Sequence, residues 1–326
     1  TVTVTATDCK GGSASATMVI TASDPWTQRT YAESNRLYDM AYGNGLYVIA
    51  GHNYAAYSSD GNTWNRSQSI GINQFQYRVA FGGGAFVGVG QDYDFSASDW
   101  RGTIQRSVNG SVWTTPLNGE LRIFRDVAYG SGAFVAVGTD GMIYSSADGT
   151  AWTDRSVSPA IPDDFRAVAY GDGVFVAVGT DSLLYRSTDA GTTWTAISTP
   201  FFHGKTVRYD GNQFVIITSY GSPQDVLTSS DGLSWDYLDT DIEIFANDMV
   251  GTDGFYYITG DWSGVQTAAT SIDGAAWVTA PSHSAAIAQN GVAFANGRLF
   301  SVGDNGTIYE ADLISQGLPQ ITEQPN

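Results

Sequence analysis

Cysteine is almost absent from this chain of 326 residues, in which Cys9 is the single thiol. One thiol forms no disulfide framework within the chain and supplies too few sulfur ligands for a metal cluster. The three histidines, His52, His203 and His283, share no spacing of the kind found in zinc sites. The sequence therefore predicts neither a zinc site nor a fold that depends on disulfides.

Positive charge and long apolar runs are also scarce. Lysine and arginine total 15 against 33 aspartates and glutamates, which gives a net charge of −18. Nucleic acids and anionic membranes are bound by basic surfaces, so the composition argues against both as partners. No apolar run reaches the roughly 18 residues that a membrane-spanning helix needs. We therefore expect neither a nucleic-acid partner nor insertion into a membrane, and no cofactor apart from the calcium considered below.

Tryptophan, in contrast, recurs at regular intervals along the chain. Seven tryptophans are spaced 38 to 49 residues apart, at Trp26, Trp64, Trp113, Trp152, Trp194, Trp235 and Trp277. Each interval contains short runs of β-branched and aromatic residues separated by glycine-containing turns, as in FRDVAYG, AFVAVG and MIYS of residues 124–145. A repeat of about 40–45 residues with four short strands is typical of a β-propeller blade. The sequence predicts an all-β, seven-bladed β-propeller of four-stranded antiparallel blades.

A turn motif precedes six of these tryptophans. It reads Ser-x-Asp-(x)-Gly-x-x-Trp, with Asn109 replacing aspartate in one copy, at Ser58–Trp64, Ser107–Trp113, Ser146–Trp152, Ser187–Trp194, Ser229–Trp235 and Ser271–Trp277. These copies resemble the Asp-box (BNR-type) repeats of propeller proteins, and the resemblance covers residues 23 to about 312. Serine and aspartate side chains close turns through local hydrogen bonds. We therefore expect these aspartates to stabilise turns, since a motif present in nearly every blade is a poor candidate for a single site.

The two ends of the repeat array predict how the ring closes. The last unit, 290–312, stops before a tryptophan, whereas the first begins at Trp26 and lacks its inner strands. Seven complete blades result if Trp26–Thr30 supplies the outer strand of the last unit. Residues 1–22 read as a β-hairpin that resembles the end of an immunoglobulin-like or PKD domain. We thus expect a propeller over 23–312, a hairpin over 1–22, and a linker toward a further domain over 313–326.

Two rows of residues stand where the inner strands begin. The first row contains Arg125, Arg166 and Lys205, and the second contains Arg78. Because side chains alternate along a strand, one row should point to the central channel. The sequence therefore predicts an arginine row at the channel mouth, which either binds a carboxylate or sulfate or forms ion pairs between blades. The second row also contains Asp39, Asp126 and Asp248 as possible partners.

The loops between the second and third strands, here called the b–c loops, share the same face of the ring. They carry aromatic residues beside polar ones, namely Tyr93, Trp100, Tyr220 and Trp262. A flat ring can stack on the C–H face of a sugar, so these residues predict stacking platforms. The segment Asp92-x-Asp94-x-Ser96-x-x-Asp99 begins like a calcium loop but has Ala97 and Thr103 at the sixth and twelfth positions, where an EF-hand has glycine and glutamate. Asp92, Asp94 and Asp99 are the candidate calcium ligands.

The sequence favours a binding or display module that holds a glycan or a protein on the b–c loop face. We expect a monomeric module of a larger secreted or cell-surface protein, and the flanking segments favour an extracellular location. Two alternatives remain open. One is a glycoside hydrolase or lyase, with Asp39 and Asp248 as the inner-strand carboxylates. The other resembles the assembly-factor propellers of photosystems, in which the arginine row would bind a protein partner.

Overall fold

The computed structural model describes residues 2–7, 13–18, 26–68, 70, 74–157, 163–199, 202–218, 224–242, 244–252, 255–262, 265–274, 276–280 and 287–312. At 2–7, 13–18, 224, 239, 241–242, 261–262, 265–267, 280 and 312 it describes the backbone alone. Strands β1 (Val2–Thr7) and β2 (Ser13–Met18) pair antiparallel at the N-terminus, as the alternating pattern predicts. No helix in these ranges is long and apolar enough to cross a membrane.

The remaining strands form seven antiparallel sheets of four strands each, which confirms the predicted seven-bladed propeller. Blade 1 contains β4–β7, blade 2 contains β8–β11 and blade 3 contains β12–β15. The strands of blade 1 are, in order, Leu37–Gly43, Leu46–Gly51, Ala56–Ser58 and Asn65–Arg66. Those of blade 2 are Phe75–Gly82, Ala85–Asp94, Asp99–Ser107 and Thr114–Glu120. Those of blade 3 are Phe124–Gly130, Ala133–Gly138, Ile143–Ser146 and Thr153–Asp154.

Blade 4 contains β16–β19, blade 5 contains β20–β23 and blade 6 contains β24–β27. The strands of blade 4 are, in order, Phe165–Gly171, Val174–Gly179, Leu184–Ser187 and Thr195–Ala196. Those of blade 5 are Gly204–Tyr209, Phe214–Thr218, Gln224–Ser229 and Asp236–Ile242. Those of blade 6 are Phe245–Thr252, Phe255–Trp262, Val265–Ser271 and Trp277–Ala280. Within each blade the first three strands follow one another in space, and the first strand lines the central channel.

Blade 7 closes the ring by joining the two ends of the array. Its inner strands are β28 (Gln289–Ala295), β29 (Arg298–Gly303) and β30 (Ile308–Asp312), with a 3₁₀ turn at Asp304–Gly306. The outer strand is β3 (Trp26–Gln28), which pairs antiparallel with β30 and thus confirms the predicted closure. This pairing completes the fourth strand of blade 7 and ties the N-terminal and C-terminal ends of the array together in one sheet. An ion pair of 2.7 Å between Arg29 and Glu310 lies beside the same junction.

The serine and aspartate of the recurring turn bind the turn's own backbone. In blade 3, the Gly149 N–H donates to Ser146 Oγ at 2.9 Å, and the Thr150 N–H donates to Asp148 Oδ1 at 2.7 Å. Trp152 Nε1 donates to the carbonyl of Gly149 at 3.1 Å. These hydrogen bonds use the polar groups of the motif within the turn, so its aspartates have the structural role expected of them.

The hydrophobic core lies between the blades. Val135 and Val137 of blade 3, for example, pack in one cluster with Phe165, Val168 and Phe175 of blade 4. Burial of this kind at every junction of the ring provides most of the driving force for folding.

A glycine contact adds shape complementarity to these junctions. A Cβ atom added to Gly130 would lie 2.0 Å from the ring of Tyr170 in the next blade. The same contact joins Gly43 to Phe81, Gly82 to Tyr129, and Gly171 to Tyr209. Glycine is therefore needed at these positions because an aromatic ring of the following blade occupies the space of its side chain.

Candidate functional site

Every inner strand carries a β-bulge close to its start. The pairing with the second strand skips one residue, as between Phe124 and Asp126 in blade 3. The skipped positions are Tyr38, Tyr77, Arg125, Arg166, Lys205, Asn247 and Asn290. A bulge interrupts the alternation of side chains. The two rows of residues at the start of the inner strands therefore do not divide into one that faces the channel and one that faces the core. The predicted arginine row depended on that division.

Arg78, the second-row member of that row, lies in an ionic cluster of the channel. Its Nη2 lies 3.3 Å from Asp248 Oδ1, and its Nε lies 3.9 Å from Asp126 Oδ1. Arg208 faces the same two carboxylates, at 2.6 Å from Asp248 Oδ1 and 3.6 Å from Asp126 Oδ2. These residues come from blades 2, 3, 5 and 6, so the cluster joins blades across the ring. Among the alternatives for Arg78, this geometry favours ion pairing between blades.

Asp126 and Asp248 of this ionic cluster, and Asp39, whose carboxyl is influenced by the charge of Arg78, also bind the backbone of the following blade. Each accepts a hydrogen bond from an inner-strand N–H: Asp39 from Val79 at 2.9 Å, Asp126 from Val168 at 3.0 Å, and Asp248 from Val292 at 3.2 Å. Burial raises the pKa of Asp39 to about 6, against the opposing effect of Arg78. Burial raises the pKa of Asp126 as well, with Arg208 acting in the opposite direction. The channel around the cluster has a cavity volume of about 290 Å³.

Arg208 is the member of this cluster that the sequence reasoning missed. Five other blades have alanine at the matching position, namely Ala41, Ala80, Ala128, Ala169 and Ala293. One long cationic side chain among small residues that face a narrow channel was the available signal. The position of Arg208 lies further along the inner strand than the two rows at its start.

Arg125 and Arg166, two other members of the predicted row, contact groups outside the ionic cluster of Arg78. The guanidinium of Arg125 lies 5.9 Å from the centre of the Tyr77 ring, and its buried Nε has no hydrogen-bond partner. Arg166 has 42% of its side chain exposed and lies 3.9 Å from Asp164. Lys205 is partly buried at the matching position of blade 5. Arg125 is therefore the member placed next to the aromatic residues of this face.

The structure brings Tyr93 and Trp100 together in a larger aromatic surface. The two face each other as a cross-strand pair in the hairpin of β9 and β10, with ring centres 5.1 Å apart. The region expected to be a loop, 91–102, is thus mostly an extension of these two strands. Phe75 lies 5.3 Å from Trp100, and Phe95 at the hairpin turn lies 5.0 Å from Tyr93.

The surface continues into blade 1. The imidazole of His52 stacks on Phe75 at 4.1 Å and 7°, and Tyr38 lies 5.5 Å from Tyr77 and 6.4 Å from Phe75. All of these rings are partly or largely exposed. We call the whole set the aromatic platform, which consists of Tyr38, His52, Phe75, Tyr77, Tyr93, Phe95 and Trp100. Its inner edge is at Tyr77, below Arg125.

Two of the predicted stacking residues cannot be placed on this surface. Tyr220 lies outside the described residues. Trp262 ends strand β25, but its side chain is not part of the described structure. They remain predictions.

The structure does not bring the three candidate calcium ligands together. Asp94 Oδ1 accepts hydrogen bonds from the backbone and the hydroxyl of Ser96, which lowers the pKa of Asp94. Asp99 forms an ion pair of 3.1 Å with Arg101, the residue paired with Asp92 across the hairpin. Within the described part of the chain, no group of three histidine, cysteine or acidic side chains is arranged to hold a metal ion. Asp94 and Asp99 thus stabilise the hairpin.

Comparison with known proteins shows likeness in fold alone. No family model and no curated protein matches the sequence. The fold is similar to that of YCF48 from Cyanidioschyzon merolae, with 16% identity, a TM-score of 0.65 and coverage of 89% of this chain and 99% of the other. A structure described as YCF48 bound to D1 peptide has 18% identity, a TM-score of 0.67 and coverage of 89% and 96%. Virginiamycin B lyase from Staphylococcus aureus has 10% identity, a TM-score of 0.71 and coverage of 87% and 97%.

Proposed function

We propose that this chain is a binding module that holds a glycan on its b–c loop face, over the aromatic platform. The observation that carries the proposal is the contact of seven partly exposed rings from two blades in one continuous surface. Large apolar surfaces left open to water on a folded protein mark interaction sites. Aromatic rings bind a sugar by stacking on its C–H groups, while neighbouring polar groups bind its hydroxyls.

The rigidity of the platform supports a binding role. Tyr93 and Trp100 are held by the paired strands β9 and β10, and Phe75 is held by pairing with Gln91. A binding surface that is already ordered loses little conformational entropy when the ligand arrives. The hairpin turn is also fixed, because Asp94 accepts hydrogen bonds from Ser96 and Ala97.

Charge supports a neutral ligand. The chain has a net charge of −18, which repels polyanions at long range. The resemblance of residues 1–22 to part of an immunoglobulin-like domain supports a place outside the cell, as one module of a longer secreted or cell-surface protein.

A protein partner is the second candidate. Phe95 is 65% exposed at the hairpin turn, and exposed aromatic residues are frequent anchors of protein interfaces. A solved structure of similar fold is described as YCF48 bound to D1 peptide, so a propeller with this fold can bind a polypeptide. On this second candidate, Arg125 beside Tyr77 would contribute to the interface.

The hydrolase or lyase alternative has weaker support. Its proposed acid and base were Asp39 and Asp248, but Asp248 is 0% exposed and pairs with Arg78 and Arg208. A carboxylate in such an ionic cluster is poorly placed to reach a glycosidic bond.

The proposal is tested by binding to an array of neutral and acidic glycans, followed by calorimetry on the glycan that binds best. Replacing Trp100 with alanine should weaken that binding about tenfold or more, which corresponds to about 1.4 kcal/mol. Val112→Ala is the matched control, because Val112 is a 51% exposed apolar residue of the same blade, in the Ser107–Trp113 turn. Equal affinities of the Trp100→Ala variant and the unchanged protein would refute the role of the platform.

A further inference from the structure

A pocket adjoins the aromatic platform where the two ends of the ring meet. It is lined by residues of blades 7, 1 and 2 and has a volume of about 380 Å³, which is in the range of small-molecule sites. We call it the junction pocket, and its lining residues are Ser34, Arg36, Tyr38, His52, Phe75, Asp304 and Asn305. Tyr38, His52 and Phe75 belong to the aromatic platform as well, so the pocket and the platform form one continuous surface.

The charges of the junction pocket cancel within its own wall. Arg36 and Asp304 form a two-point ion pair, with Nε 2.7 Å from Oδ1 and Nη2 3.0 Å from Oδ2. Asn290 Nδ2 donates a further hydrogen bond of 2.9 Å to Asp304 Oδ1. Burial and the nearby Arg36 lower the pKa of His52, so the imidazole is neutral at neutral pH. An anion would compete with Asp304 for Arg36, and a cation would be repelled by Arg36.

The polar wall of the pocket is fixed in place by close backbone contacts. Asn305 has a φ of 56°, in the left-handed region that asparagine tolerates better than most residues. The next residue, Gly306, packs so closely that an added Cβ would lie 2.0 Å from the carbonyl oxygen of Glu33. The loop that carries Asp304 and Asn305 is therefore held against the segment that carries Ser34 and Arg36.

We propose that the junction pocket binds one uncharged sugar residue of the glycan, whose chain continues across the aromatic platform. This inference rests on the proposed function. His52 and Phe75 provide the aromatic part of the wall, and the hydroxyl of Ser34 and the amide of Asn305 provide hydrogen bonds for sugar hydroxyls. The neutral balance of Arg36 and Asp304 selects against uronic acids and sulfated sugars, because the guanidinium is already paired.

The test uses calorimetry with defined oligosaccharides of two to six residues. The neutral probes are cello-, manno-, xylo- and galacto-oligosaccharides, and the acidic probe is oligogalacturonate. Asn305→Gly keeps the left-handed backbone but removes the amide. Asn44→Gly is its matched control, since Asn44 is an exposed asparagine with φ 50° in a turn at the opposite end of blade 1. Ser34→Leu fills the pocket, and Ala32→Leu changes an exposed residue on the same segment that does not line it.

The proposal predicts that a neutral oligosaccharide binds and that Asn305→Gly weakens it about two- to tenfold, the contribution of one hydrogen bond. Ser34→Leu should weaken it more, whereas both controls should stay within twofold of the unchanged protein. If Trp100→Ala abolishes binding but Ser34→Leu and Asn305→Gly do not change it, the pocket is refuted and the platform stands. Stronger binding of oligogalacturonate than of any neutral probe also refutes the pocket. No binding of any probe to the unchanged protein contradicts the pocket and the proposed function together.

Discussion

Replacement of Arg208 by methionine tests the ionic cluster that joins blades across the channel. Methionine has a similar length but no charge, so the change removes the contacts of 2.6 Å to Asp248 and 3.6 Å to Asp126. Both carboxylates are buried, and removing one partner of a buried ion pair costs about 3–5 kcal/mol. We expect about 3 kcal/mol, the lower end, because Arg78 and the backbone N–H groups of Val168 and Val292 remain.

The assay is unfolding in urea and on heating, followed by circular dichroism. At about 2 °C per kcal/mol for a domain of this size, the melting temperature should fall by about 6 °C. Arg166→Met is the matched control. Its side chain is 42% exposed and lies 3.9 Å from Asp164, so a change within about 0.5 kcal/mol is expected. Adding Asp248→Asn to Arg208→Met should recover part of the loss, because asparagine needs no counter-ion and can still accept the Val292 N–H.

A stabilising role of the ionic cluster is excluded if Arg208→Met destabilises the protein no more than Arg166→Met does. The role is also excluded if the losses of stability from Asp248→Asn and Arg208→Met simply add, since neighbouring groups of one network should show coupled effects. Either result would mean that the channel is hydrated enough to screen these charges, and that the ring is held together by its apolar junctions alone.

Three further perturbations test the packing and the titration of the ring. Trp113→Ala should lower the unfolding free energy by about 3–5 kcal/mol, because Trp113 is only 7% exposed. Trp100→Ala on the partly exposed platform should lower it less, and equal losses in urea unfolding would contradict this difference in burial. Because burial raises the pKa of Asp39 to about 6, the folded state holds this proton more tightly than the unfolded chain, so Asp39 should lower stability as pH rises from about 4 to 6. In the Asp39→Asn variant, the decrease in unfolding free energy over this pH range should be smaller by up to about 3 kcal/mol. Identical dependence of the melting temperature on pH in the variant and the unchanged protein would exclude this effect of Asp39. Gly130→Ala should lower the unfolding free energy by about 1–3 kcal/mol, because the new methyl group clashes with the ring of Tyr170. The double variant Gly130→Ala, Tyr170→Leu should lose less than the sum of the two single losses, and additive losses would argue against the contact.

The fold was predictable because its signals are local and repeated. Each turn motif ends in a tryptophan whose Nε1 donates a hydrogen bond to the carbonyl of the glycine in the same motif, as from Trp113 to Gly110 at 2.9 Å. One repeat therefore contains the information for its blade. The closing strand was predictable for the same reason, since Trp26 is the tryptophan that the last repeat lacks. Repetition therefore compensates for the weak strand preferences of each short segment.

The candidate site was predictable only in part, because it depends on contacts between distant segments. Tyr93 and Trp100 were expected on this face, but Phe75, at the start of strand β8, was not, and it is Phe75 that contacts both Trp100 and His52. The bulge in each inner strand removed the alternation on which the arginine row depended. The junction pocket combines residues 34–36 with 304–305, which meet only because the ring closes. No spacing within one repeat contains that information.

The aromatic platform places the proposed ligand on the b–c loop face of blades 1 and 2. Hydrogen–deuterium exchange tests it directly, measured with and without a saturating amount of the glycan that binds best. We expect slower amide exchange in 36–38, 52–54 and 91–102, and unchanged exchange in the turns at 44–45 and 131–132 on the opposite face. Protection confined to those turns, or to blades 3 to 6, would show that the ligand binds elsewhere on the ring.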